Sequence, residues 1–179
     1  MSPTVVVAGH TVTDAAVRLR AYATTYPGTI LRYDLGSGPD ADLDRLSADD
    51  VARTRVINSR IGAGQSAEIV RAGAAITPLL ADIPHGAHLR AADPEVHGGL
   101  YDAALAVFNH LLGPGVRSSK VSKVLHLKRP HLFPILDSRL ARVYADAAAD
   151  AAQRHGVARP GYRRMYWAAT RRASGAVGR

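Results

Sequence analysis

The sequence predicts a mainly α-helical protein that folds as a single compact domain over residues 1–173, followed by a flexible tail at residues 174–179. Its 179 residues, 47% of them hydrophobic, suffice for one well-packed domain and are few for two. Apolar residues recur at helical spacing through most of the chain, and stretches rich in Gly and Pro separate these segments. The β-branched run at residues 4–8 predicts a short N-terminal strand or an extended arm.

The N-terminal half carries start and stop signals for three helices. The pair Thr13–Asp14 can cap a helix that ends at Pro27–Gly28, Ser47 can cap a second helix, and a third spans about residues 66–80. Residues 35–44 contain Gly, Pro and Asp and are predicted to form a loop. The acidic side chains of this loop disfavour contact with a phosphate.

A helix, a tight turn and a second helix are predicted at the start of the C-terminal half. An apolar stripe over residues 100–111 indicates the first helix, Gly113-Pro114-Gly115 indicates the turn, and a second apolar stripe begins near Arg117. The sequence therefore predicts a helix-hairpin-helix element whose turn and second helix lie in the basic segment 113–144.

The chain after the second helix is predicted to be extended and then helical again. Pro130 and Pro134 enforce an extended connection, and Asp137 can cap a long helix. The apolar face of that helix would comprise Leu140, Val143, Tyr144 and Ala147. A last amphipathic segment over residues 162–173 contains Tyr166-Trp167, whose helical spacing is more typical of core aromatics than of rings that stack on unpaired bases.

Charge is distributed unevenly along the chain. Residues 1–112 hold nine arginines and no lysine against twelve acidic residues, a net charge of −3, whereas residues 113–179 carry a net charge of +11. A basic segment of this kind is typical of proteins that bind a polyanion and release its counterions. The expected partner is DNA or RNA, and the alternative is that the alanine- and arginine-rich composition only keeps the protein soluble.

Several classes of protein are excluded or disfavoured. The chain has no cysteine, which excludes disulfides, zinc sites with thiolate ligands and cysteine-ligated iron–sulfur clusters. The spacing of His85, His88 and His97 matches no ligand pattern, so we expect no metal and no cofactor. No apolar run is long enough to cross a membrane, and the start lacks a secretory signal, so we expect no membrane association and a cytoplasmic location.

The predicted turn offers a physical means of binding phosphate. Gly113 and Gly115 permit close approach to backbone N–H groups, and the helix that follows directs its positive dipole end toward the same space. The same Gly-Pro-Gly sequence is also a common helix stop. The candidate nucleic-acid-binding residues are Gly113, Gly115, Arg117, Ser118, Ser119, Lys120, Lys123, Lys128 and Arg129.

Two strings of residues in this segment resemble the helix-hairpin-helix superfamily of DNA glycosylases. The adenine-DNA glycosylase branch of that superfamily reads PGVGRS at its hairpin and FPILDGNVKRVL at its catalytic aspartate. This chain reads PGVRSS from Pro114 and FPILDSRLARVY from Phe133, and the separation of Gly115 from Asp137 fits the branch without a gap. Residues 128–138 also resemble the Lys-Arg-Pro to Asp-Ser core of a mainly actinobacterial family, and that resemblance implies no function.

The glycosylase resemblance implies roles for two residues. Asp137 would stabilise the positive charge that develops on the sugar as the base departs, or would direct water to it. Ser119 aligns with the lysine of the members that form a Schiff base, and Lys120 lies one place further on. Simple hydrolysis is therefore favoured over a lyase step, and the alternative for Asp137 is that it only caps the next helix.

Three functional hypotheses follow from the sequence. The first is a protein that binds the DNA backbone and acts as an N-glycosylase through Asp137, with Lys120 as a second candidate catalytic residue. The second is a nucleic-acid-binding module without catalytic activity. The third is an enzyme that acts on a small anionic, nucleoside-like molecule.

Overall fold

A computed structural model of the chain describes residues 5–34, 41–156 and 164–175. Nine α-helices and one two-stranded sheet make up this part of the chain, which confirms the prediction of a mainly α-helical fold. The helices are α1 (Ala15–Thr25), α2 (Pro27–Thr29), α3 (Ala48–Arg53), α4 (Ala63–Ala81), α5 (Leu100–His110), α6 (Ser118–His126), α7 (Ser138–Val143), α8 (Ala145–Arg154) and α9 (Arg164–Gly175). No helix among the described residues has both the length and the apolar character to span a membrane.

The N-terminal residues form a β-hairpin. Strand β1 (Val5–Val7) pairs antiparallel with strand β2 (His10–Val12), so the predicted N-terminal strand is present and has a partner. Ala8 and Gly9 connect the strands with φ angles of 50° and 81°, the left-handed conformation that a two-residue hairpin turn requires. Strand β1 lies against α9.

Helix α1 is present, and none of its residues is buried. Asp14 precedes it without a side-chain capping bond, and Leu19 is 69% exposed. Pro27 ends α1 as predicted, yet the chain remains helical through α2 and a π-helical turn (Ile30–Asp34), because Pro is well suited to the first position of a helix. The turn buries Tyr33, whose hydroxyl donates to the Lys123 carbonyl oxygen at 2.7 Å.

The main core lies between α3, α4, α5, α6 and α9. Helices α4, α5 and α6 contribute apolar residues at the helical spacing seen in the sequence, among them Ile76, Phe108 and Val124, and α3 contributes Val51. Trp167 is fully buried, with its ring edge-on to Tyr101 and Phe108. This confirms its expected place in the core. Tyr162 and Arg163, in the same predicted segment, lie outside the described residues, as do residues 176–179 of the predicted tail.

The predicted long helix after Asp137 consists of two helices with a break at Tyr144. Tyr144 is buried, with φ −91° and ψ 5°, whereas Leu140 and Val143 of the predicted apolar face are exposed. The prediction of a continuous inner face is therefore wrong. In α8, three buried alanines pack instead against Met165 and Ala168 of α9 and form a second, smaller core cluster.

Lys128 and Arg129 are interior residues, which corrects the prediction that they contact a nucleic acid. The Lys128 ammonium lies 2.7 Å from Asp50 Oδ2 and donates to the Asp42 carbonyl oxygen at 2.9 Å. Arg129 has no exposed surface, and its guanidinium lies 2.5 Å from Asp44 Oδ1. Arg129 also donates to the carbonyl oxygens of Ile83, Leu43, Lys128 and Leu80.

The Asp44–Arg129 pair joins the two halves of the chain. Hydrogen bonding to Arg129 lowers the pKa of Asp44, and His85 acts in the same direction. The loop that contains Asp42 and Asp44 was predicted to avoid phosphate. In the structure its backbone carbonyl oxygens accept hydrogen bonds from Lys128 and Arg129, and the Asp44 carboxylate pairs with Arg129. Burial of the Arg129 charge is tolerated because all three guanidinium nitrogens donate hydrogen bonds to acceptors of the protein.

We expect the substitution Arg129→Met to lower the free energy of unfolding by about 3–5 kcal/mol, because it leaves four carbonyl oxygens without this donor, three of them buried, and Asp44 without its guanidinium partner. Urea denaturation followed by circular dichroism measures this change. Arg139→Met, at an exposed site on α7, is the matched control and should stay within about 0.5 kcal/mol of the wild type. Equal stability of the two variants would contradict the organising role of Arg129.

Candidate nucleic-acid interface

The predicted helix-hairpin-helix element is present between α5 and α6. Gly113 and Val116 exchange two backbone hydrogen bonds, of 3.2 Å and 3.0 Å, and so close the turn. Gly115 has a φ of 75°, a conformation that glycine adopts without strain. The side chain of Arg117, which precedes α6, makes no capping hydrogen bond, so the amide groups of the first turn of α6 have no side-chain acceptor from that residue.

Two side chains hold the hairpin in place. The Gly115 carbonyl oxygen accepts from Gln65 Nε2 at 3.1 Å and from Lys120 Nζ at 2.9 Å. Lys120 Nζ also donates to Gln65 Oε1 at 2.6 Å, and that oxygen accepts from the Gly62 amide at the start of α4. Lys120, which the sequence suggested as a catalytic residue, is therefore engaged in positioning the hairpin.

A cavity of about 630 Å³ lies against the hairpin. Ser138, the first residue of α7, belongs to its lining, so the start of α7 and the hairpin face the same space. The other lining residues are Leu112, Gly113, Pro114, Gly115, Val116, Arg117, Ser118 and Ser119. Five of the predicted nucleic-acid-binding residues are thus brought together around one cavity.

Asp137 immediately precedes this cavity's Ser138 and is positioned by α6. His126 Nδ1 donates to the Phe133 carbonyl oxygen at 2.8 Å, and the Leu136 amide donates to Ser122 Oγ at 3.3 Å. These bonds hold the segment that leads to Asp137. The prediction that the connection is extended from Pro130 is wrong, because the Leu132 and Phe133 amides donate to the Arg129 carbonyl oxygen and close a turn. Sequence reasoning did not identify Ser122 as a positioning residue, since a serine within a helix gives no such signal.

The Asp137 carboxylate caps α7 through one of its two oxygens. Oδ1 accepts from the amides of Arg139 and Leu140, each at 2.9 Å. Oδ2 has no hydrogen bond among the described residues. The capping role that the sequence predicted is therefore present, and it occupies only half of the carboxylate.

Lys123, predicted as a contact with the phosphate backbone, is a largely buried residue of α6. It is 8% exposed, and its ammonium donates to the Ile57 carbonyl oxygen at 2.7 Å. Desolvation lowers the pKa of Lys123, and the negative charge of Asp137 opposes this shift. The charges of Lys123 and Asp137 therefore influence each other.

The charge imbalance of the sequence is partly cancelled across the fold. Arg129, Lys128 and Arg171 of the basic C-terminal half pair with Asp44, Asp50 and Asp93 of the acidic N-terminal half. The exposed basic residues nearest in sequence to the hairpin and to Asp137 are Arg117, Arg139 and Arg142. Fewer basic side chains are therefore free to contact a polyanion than the net charge of +11 for residues 113–179 suggested. Arg117, in the lining of the cavity, is one of the exposed ones.

Comparison with known protein families gives a match over almost the whole chain. The family DUF6308, described as a family of unknown function, matches residues 15–176, a range that contains every helix described above. No curated protein and no solved structure matches the chain. Evidence about function therefore comes from the geometry of the site.

We expect Gly115→Ala to lower the free energy of unfolding by about 1–2 kcal/mol, because a left-handed φ strains any residue with a Cβ atom. The added Cβ would also lie 2.5 Å from Gln65 Nε2 and displace that side chain from the hairpin. Gly113→Ala is the matched control, since a Cβ there meets no atom within 4 Å. Thermal unfolding of both variants measures the effect, and equal melting temperatures would argue against a strained, clamped hairpin.

Proposed function

The chain belongs to the DUF6308 family of unknown function, and we propose that it binds the backbone of DNA at the hairpin, with Asp137 placed to hydrolyse an N-glycosidic bond. The observation that carries the proposal is the cavity of about 630 Å³ lined both by the hairpin and by Ser138. A strand held at the hairpin would lie beside the start of α7. We further propose a cytoplasmic location, where such a substrate is accessible.

Phosphate binding is supported by the chemistry of the cavity wall. The lining contains Ser118 and Ser119 of the first turn of α6, where backbone amides and the helix dipole favour an anion. Exposed Arg117 adds a positive charge at the same place. Contacts of this kind position a nucleic acid without reading its bases.

Hydrolysis is supported by the state of the Asp137 carboxylate. Departure of a base leaves positive charge on the sugar, and a nearby carboxylate stabilises that charge. Since Oδ1 caps α7, Oδ2 is the oxygen that would face the sugar or orient the attacking water. The cavity volume falls within the range of small-molecule sites and would admit a nucleobase.

Lysine-dependent strand cleavage is not part of the proposal. Lys120 is hydrogen-bonded to Gln65 and Gly115, and its displacement toward a sugar would release the hairpin. Water is therefore the proposed nucleophile: its oxygen bonds to the sugar carbon, the glycosidic bond breaks, and the base leaves with a proton.

Binding without catalysis is a second candidate function. The two hydrogen bonds to Asp137 Oδ1 are those of an ordinary N-cap, and they account for an aspartate at this position without any chemistry. This candidate predicts the same contacts with the phosphate backbone, so the two candidates differ only in the role of Oδ2.

We expect Arg117→Gln to weaken binding to a duplex that contains an abasic site by about threefold to tenfold, and to reduce the slope of log K against log salt by about one. Fluorescence anisotropy across a salt series measures both quantities. Arg20→Gln, at an exposed position on α1, removes the same charge elsewhere and should leave binding near the wild-type value. Absence of binding by the wild type at low salt would refute the proposed function.

We expect Asp137→Asn to abolish base release, with a loss of about a hundredfold or more, while binding to the abasic duplex stays unchanged. The asparagine Oδ1 can still accept from the Arg139 and Leu140 amides, so the cap of α7 is retained. Base release from a panel of damaged duplexes, detected by alkaline cleavage at the abasic product, provides the measurement. Binding without release from any substrate by the wild type would favour the non-catalytic function.

A further inference from the structure

A second cavity, of about 520 Å³, lies between α6 and the loop that precedes α4. Gly115, Arg117 and Ser119 line both this cavity and the cavity at the hairpin, so the two cavities are adjacent. The remaining lining residues are Asn58, Ser59, Arg60, Gln65, Lys120 and Lys123.

The lining of this second cavity is cationic and contains no carboxylate. Arg60, Arg117, Lys120 and Lys123 supply four positive charges. Arg60 and Arg117 are exposed, and neither guanidinium has a hydrogen bond or an ion pair within the described part of the chain. Elsewhere in this fold, basic side chains such as Lys128 and Arg129 are matched by a carboxylate. The second cavity therefore concentrates positive charge that no carboxylate of its own lining neutralises, although Asp137 acts on Lys123 from outside the lining.

Two buried polar groups of this lining have unused hydrogen-bonding capacity. Ser59 is 7% exposed, and its hydroxyl is buried without a partner among the described residues. The Lys123 ammonium, also buried, has three N–H groups, and the Ile57 carbonyl oxygen accepts from one of them. Buried polar groups in native proteins are almost always satisfied by protein, water or ligand. An acceptor-rich anion in the cavity would accept from the remaining Lys123 N–H groups.

The backbone of the loop holds Ser59 at this position. Asn58 has a φ of 58°, a left-handed conformation that turns the chain at the end of the helical turn Thr54–Ile57. The Ser59 amide then donates to the Thr54 carbonyl oxygen at 3.1 Å. The position of Ser59 is thus set by the fold and does not depend on a ligand.

We propose that the second cavity is a binding site for a phosphate group. A phosphate presents several acceptor oxygens to the two ammonium groups and the two guanidinium groups, and charge-assisted hydrogen bonds of this kind are the strong ones. The inference rests on the proposed function only for the source of the phosphate, which is then a backbone phosphodiester. A free phosphate monoester would make the same contacts.

Titration with inorganic phosphate, followed by ¹H–¹⁵N NMR, tests the site directly. Sodium chloride at matched ionic strength is the reference. We expect saturable shifts in the amides of residues 58–62 and 117–123, and about tenfold weaker binding in both Arg60→Ala and Lys123→Met. Because Arg60 is exposed, Arg60→Ala should fold normally. This variant therefore tests the site even if Lys123→Met, which replaces a buried residue, impairs folding. Arg20→Ala on α1 is the matched control and should bind phosphate as the wild type does.

Shifts that do not saturate, or that chloride reproduces, would overturn the proposal. Unchanged phosphate binding by Arg60→Ala would also overturn it, since the anion would then lie at the hairpin cavity instead.

The source of the phosphate is distinguished with two further probes. A short duplex without terminal phosphates contains only phosphodiesters, and a nucleoside 5′-monophosphate contains only a monoester. A loss of duplex binding in Arg60→Ala identifies the backbone as the source, whereas an effect confined to the monophosphate identifies a free ester; both results support the site. Phosphate binding by a wild type that binds no duplex would refute the proposed function and leave this inference standing.

Discussion

The buried guanidinium of Arg129 is the interaction on which the rest of the structure depends. It joins the acidic loop at Asp44, the end of α4 at Leu80 and the turn at Ile83 to the segment that leaves α6. The Arg129 carbonyl oxygen accepts from the amides of Leu132 and Phe133, so the same residue also closes the turn that leads toward Asp137. A charge in this position is tolerated only with all of its acceptors in place, and this requirement fixes α6 relative to α4.

Helix α6 in turn fixes both walls of the candidate site. On one side, Lys120 and Gln65 hold the Gly115 carbonyl oxygen and thus the hairpin. On the other, Ser122 and His126 hold the connection that carries Asp137. Both walls are attached to the same rigid helix, so their separation does not depend on a flexible loop. Such preorganisation is what a site for backbone binding and transition-state stabilisation needs.

The uneven charge of the sequence has two structural explanations. Part of it reflects ion pairs between the acidic N-terminal half and the basic C-terminal half, as between Asp50 and Lys128 or between Asp93 and Arg171. The remainder includes Arg117 at the rim of both cavities and Lys123, whose pKa is lowered by burial. The charge of one segment therefore indicates an anionic partner only after its ion pairs with the rest of the chain have been subtracted.

The sequence by itself determined what depends on neighbours along the chain: the helical content, the tight Gly-Pro-Gly turn, the caps at Ser47 and Asp137, and the core position of Trp167. Helical periodicity, capping and turn chemistry act over a few residues, so their signals are legible locally. Only the tertiary structure decided that Arg129 is a core residue, because its partner Asp44 lies 85 positions away. Gln65 reaches the hairpin across 50 positions, and no local pattern marks either residue. Contacts between residues so far apart in the sequence depend on how the helices pack against each other. Local sequence patterns carry no information about that packing.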